Sequence, residues 1–93
     1  MIKIRLTGEA ATRRVWLNDI ELSPKRGLMV RNHSPDGFNW GYGGSGPAQL
    51  ALSICLELFD DAYAPLNYQD LKFDHIAGLP MGKDFDVELN IEI

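Results

Sequence analysis

A chain of 93 residues is too short to build two hydrophobic cores, so residues 1 to 93 are read as one domain. With 45% hydrophobic and 24% charged residues, it carries enough apolar surface to offset the entropy of ordering, which excludes a disordered polymer. The formal charge of −4 argues against a protein that binds by neutralising phosphates, and the single cysteine, Cys55, excludes an internal disulfide or a thiolate zinc site.

In chain order, Ile2, Ile4 and Leu6 alternate with Lys3, Arg5 and Thr7, the period-two signature of a half-buried strand that Gly8 is expected to end. Residues 14 to 17 and 20 to 22 flank Asn18-Asp19, a pair tolerant of the left-handed backbone that a two-residue hairpin turn needs. Residues 28 to 31 suggest a short strand before a turn rich in Asn, Ser, Pro, Asp and Gly. Phe38, Trp40 and Tyr42 then fall on alternate positions, predicting a strand with all three rings on one face.

The firmest element is a helix from Pro47 to about Ala62, with Ser45 as N-cap. Its polar residues, Gln49, Ser53, Glu57 and Asp60 or Asp61, form one narrow stripe, so the helix must be covered on several sides. Leu52, Cys55 and Phe59 are expected in the core. That cover comes either from its own chain or from a second copy, which leaves a homo-oligomer open. A shorter helix over residues 67 to 77, capped by Asn67 and stopped by Gly78, is followed by the clearest strand. There Phe85, Val87, Leu89, Ile91 and Ile93 alternate with acidic and polar residues. These elements predict an α+β fold: a mostly antiparallel sheet of about four or five strands, a central buried helix and a second, shorter one.

The densest unusual segment is the glycine-rich passage from strand to helix, with Trp40, Tyr42, Gly43, Gly44, Ser45, Gly46 and Gln49 as candidate ligand-binding residues. Free N–H groups and the macrodipole at a helix start favour an anion, and an exposed Trp40 or Tyr42 could stack on a base, so a nucleotide-like ligand is one reading. No lysine follows the glycines in sequence, and neither the P-loop nor the dinucleotide spacing is present. A purely structural strand-to-helix turn is the stronger reading. Gly44-Ser45-Gly46 lacks the spacing of a nucleophile elbow, and His75 beside Asp74 has nothing to mark it as a general base. His33 sits in a turn-rich loop. No metal, cofactor or catalytic set is expected, and an enzyme is the less favoured reading.

Charge divides unevenly along the chain. Residues 1 to 46 carry seven Lys/Arg against four Asp/Glu, and residues 47 to 93 two against nine, which suggests opposite-sign faces. Arg13, Arg14, Lys25, Arg26 and Arg31 near Trp16 read as a solvated face rather than a nucleic-acid surface. Asp84, Asp86, Glu88 and Glu92 are candidates to contact a basic protein partner, although simple solvation is the stronger reading. No apolar run is long enough to span a bilayer, and no leader pattern opens the chain, so a cytoplasmic protein without membrane contacts is expected.

Residues 38 to 52, Phe-Asn-Trp-Gly-Tyr-Gly-Gly-Ser-Gly-Pro-Ala-Gln-Leu-Ala-Leu, resemble a family of small domains of unknown function encoded on bacteriophages, prophages and plasmids. Flanking segments around Val15-Trp16-Leu17 and residues 68 to 73 share the likeness. The resemblance implies a mobile-element origin and a compact accessory protein, with no catalytic residues to carry over. A non-enzymatic protein-interaction role, with inhibition of a host system as one form of it, is therefore the leading expectation.

Overall fold

In a computed structural model the chain is described over residues 2 to 35, 37 to 59 and 64 to 91. Three consecutive strands, β1 (Ile2–Glu9), β2 (Arg14–Leu17) and β3 (Ile20–Glu21), are followed by helices α1 (Lys25–Val30), α2 (Ser45–Leu58) and α3 (Ala64–Leu71). A π-helical turn (Lys72–Ile76) extends α3, and β4 (Phe85–Ile91) closes the fold. The sheet is antiparallel with order β3-β2-β1-β4, so the last strand pairs with the first. This is the α+β architecture the sequence predicts, with one helix more.

Alternation sets the two sheet faces. Ile4 and Leu6 of β1, Val15 and Leu17 of β2, and Phe85 and Ile91 of β4 point inward and join α2 in one core cluster. On the outward face Lys3 and Arg5 pair with the acidic half of the sequence, and Arg14 pairs within its own half. Arg5 forks onto both carboxylate oxygens of Asp86, Lys3 lies 3.6 Å from Glu88, and Arg14 forks onto Glu21 while stacking on Trp16. The split in charge along the chain thus produces an interleaved face among these strands, where opposite-sign faces were expected. Asn18 and Asp19 both have positive φ, as the hairpin reading requires, and Asn18 exchanges hydrogen bonds with the backbone of Arg5.

Several expectations need correction. Gly8 does not end β1; it lies inside the strand because the Phe85 ring from β4 covers the space a side chain would take. Residues 28 to 31 do not form a strand, and most belong to α1. Residues 38 to 42 also form no strand: Phe38 and Trp40 enter the core, while Gly41 turns the chain at φ 85° and leaves Tyr42 outside. Ser45 is the first helical residue of α2, the N-cap is Gly44, and no side chain caps the helix. Phe59 is only half-buried, whereas Leu52 and Cys55 are core residues. The second helix starts at Ala64, which puts Asn67 within it rather than at its cap. Asp36, Asp60, Asp61, Ala62, Glu92 and Ile93 lie outside the described residues.

The polar stripe of α2 explains how the helix is sealed within one chain. Every residue from Gly46 to Leu56 is buried, including Gln49 and Ser53. Helix α1 lies over that stripe, where Gly27 approaches so closely that an added Cβ would stand 2.9 Å from both Gln49 Nε2 and Ser53 Oγ. Gln49 Oε1 accepts the backbone N–H of His33 and Ser34, and Arg26 donates to the Leu56 carbonyl near the negative end of α2.

Candidate functional site

The glycine-rich run lies on the surface beside α2, and its geometry follows from what packs on each glycine. At Gly41, φ of 85° and a potential Cβ only 2.5 Å from the Met81 Cα leave no residue but glycine. The Gly41 N–H donates to the Ile76 carbonyl, tying the run to the end of the π turn. Tyr42 folds its ring across Gly44 toward Gly46, over the first turn of α2. Phe73 reaches Gly43 from the π turn.

Three large apolar side chains therefore border the run while remaining in solvent: Tyr42 at 38% exposure, Phe73 at 64% and Met81 at 65%. Beneath them, Trp40 is only 1% exposed. Its ring meets Phe85 edge to face at 4.7 Å, and its Nε1–H donates to the Lys83 carbonyl. Next to Tyr42 and Met81 opens a cavity of about 200 Å³, lined also by Ala10 and Arg13 from the β1–β2 turn and by Asn39 and Trp40.

The sequence candidates divide between two places. Trp40 and Tyr42 line this cavity, Gly43, Gly44 and Ser45 form the adjoining run, and Gly46 is buried beneath it. Gln49 is turned away, holding the loop that contains His33 and Ser34. On the sheet, Asp86 and Glu88 are paired with Arg5 and Lys3, and Asp84 accepts the Ala10 N–H. The Arg5 guanidinium, chiefly by hydrogen bonding, holds the Asp86 carboxyl below the usual range.

Two features escape a reading of the sequence alone. Lys72, 7% exposed, places its ammonium 3.3 Å from the Gly43 carbonyl and 4.1 Å from the Phe73 ring centre, so the fold brings a lysine to the glycine run that the sequence lacks nearby. The second is a short hydrogen bond of 2.6 Å between His33 Nε2 and the buried Tyr68 hydroxyl. Burial, and then the charges of Arg31 and Lys72, lower the His33 pKa. The one available signal was the four-residue spacing that puts Tyr68 and Lys72 on one helical face.

Reactive groups are restrained. Burial pushes the Cys55 thiol up to about 12, leaving it neutral and poorly nucleophilic. Among the described residues no group of three His, Cys, Asp or Glu is placed to hold a metal ion, and no helix is long and apolar enough to cross a membrane.

A family model described as a family of unknown function (DUF6166) matches residues 6 to 92. Neither a curated protein nor a solved structure gives a match.

Proposed function

This chain belongs to that family of unknown function, and from its own geometry we propose that it is a non-enzymatic interaction module whose docking surface is the glycine run with Tyr42, Phe73 and Met81 around it. The observation that carries this reading is the grouping of three solvent-exposed large apolar residues that the fold brings from three segments to the border of the glycine run. Isolated surface hydrophobes are common, but such groups mark interaction sites, and Tyr, Phe, Met and Arg are the residues enriched there. A flat glycine backbone between them lets a partner approach closely. The mobile-element setting implied by residues 38 to 52 would make that partner a host protein.

The other surfaces draw less support. On the open sheet face, Asp86 and Glu88 already have cations, so a basic partner would have to displace Arg5 and Lys3. A nucleotide at the start of α2 would find Trp40 buried, Tyr42 folded over Gly44, and Pro47 without an N–H to offer.

The test is retention of partners by two variants. Replacing Tyr42, Phe73 and Met81 together by serine should abolish retention by a protein whose circular dichroism and cooperative melting show it still folded, while Asp86→Lys with Glu88→Lys should keep it. Loss in the sheet variant with retention in the serine variant would reverse the assignment.

A further inference from the structure

Resting on that docking surface, we infer that Arg13 is its electrostatic anchor and that the partner inserts a carboxylate side chain, Asp or Glu, into the cavity between Arg13, Tyr42 and Met81. Arg13 is held at φ 61° in the β1–β2 turn, with its N–H on the Glu9 carbonyl at 2.7 Å. That backbone suits glycine or asparagine, and among the described residues the other two non-glycine residues with positive φ are Asn18 and Asp19. A long cationic side chain at such a position gains nothing for the turn. Its side chain is exposed, lines the cavity, and has no hydrogen bond or ion pair among the described residues.

The neighbouring charges point the same way. The acids nearby in sequence and fold bind other donors and form no ion pair with Arg13, Glu9 holding the Thr12 hydroxyl and Asp84 the Ala10 N–H, and Lys72 adds a second cation under the adjoining glycine run. An incoming carboxylate therefore meets an unpaired guanidinium at a partly apolar wall, where a charge-assisted hydrogen bond is strong. Size selects the source of that carboxylate. About 200 Å³ is below the roughly 300 to 1,000 Å³ of pockets that enclose a small-molecule ligand, but it admits one side chain whose neighbours rest on Tyr42, Phe73 and Met81. The occupant is thus an acidic residue within an apolar peptide segment.

Panning a displayed library of random dodecapeptides on the folded protein tests this. Enriched sequences should place Asp or Glu beside large apolar residues, and Arg13→Gln should weaken the corresponding synthetic peptides by about 10- to 100-fold, the worth of one hydrogen bond to a charged group. Arg13→Gly separates anchoring from folding. It relieves the left-handed backbone, so its melting temperature should hold or rise while peptide binding falls equally. Peptides that require Tyr42 and Met81 but tolerate Arg13→Gln would overturn the anchor and leave the docking surface standing. Failure to enrich any sequence would overturn both, and inorganic phosphate binding more tightly than the peptides would replace the peptide with a small anion.

Discussion

Gln49 and Ser53 occupy adjacent turns of the same buried stripe, and each carries a buried polar atom without a partner among the described residues, Gln49 Nε2 and Ser53 Oγ. Gln49 Oε1 accepts two backbone N–H groups from the part-buried loop above it, so Gln49→Ala leaves both donors unpaired while also removing the partnerless Nε2, and should cost about 1 to 3 kcal/mol in urea titration. Ser53 Oγ is buried with no partner among the described residues, so Ser53→Ala should be neutral or raise stability by up to about 1 kcal/mol. Gly41→Ala meets both the Met81 backbone and a φ of 85°, and a loss of roughly 1 to 3 kcal/mol is expected. His33 supplies the pH dependence. Its pKa is lower folded than unfolded, so between those values the unfolded chain binds more protons and stability rises with pH. Acidification below its usual value of 6.5 should therefore lower the denaturation midpoint, and His33→Gln should flatten that slope.

At the scale of elements, β1, the hairpin and β4 were legible because each carries a strict period of two and turn residues with a definite backbone preference. Helix α2 was legible from its apolar circumference, though its start was not, since the Tyr42 ring fills the space of a side chain at Gly44 and the helix begins at Ser45 behind that uncapped glycine. The segment from residue 38 to 42 failed for a specific reason. Alternating aromatics satisfy a strand pattern, but Gly41 reverses the chain so that Trp40 and Tyr42 part company, and no local pattern encodes where Ile76 and Met81 will hold it. The same holds for the site: Tyr42 and the glycines were visible, whereas Arg13, Lys72, Phe73 and Met81 join them only through tertiary contacts. Packing ranks the α2 substitutions. Leu52→Ala should cost about 2 to 5 kcal/mol, and half-buried Phe59→Ala less than a core aromatic.

Across the whole molecule, the chain's own residues bury α2 from Gly46 to Leu56, so a monomer is the expected state. Edge strand β4 also carries Asp86 and Glu88 outward, a pattern that discourages strand-to-strand addition. Light scattering should report a monomer with a concentration-independent unfolding midpoint. Ion pairs occupy Arg5, Lys3, Asp86 and Glu88 on the open sheet face, and the docking surface proposed above is the exposed apolar group at the glycine run. That central claim is tested most directly by placing a photo-crosslinking amino acid singly at Phe73, Met81, Lys3 and Glu88. Crosslinks to the same partner from positions 73 and 81, with none from 3 and 88, are the predicted result; a partner captured from 3 and 88 alone would contradict it.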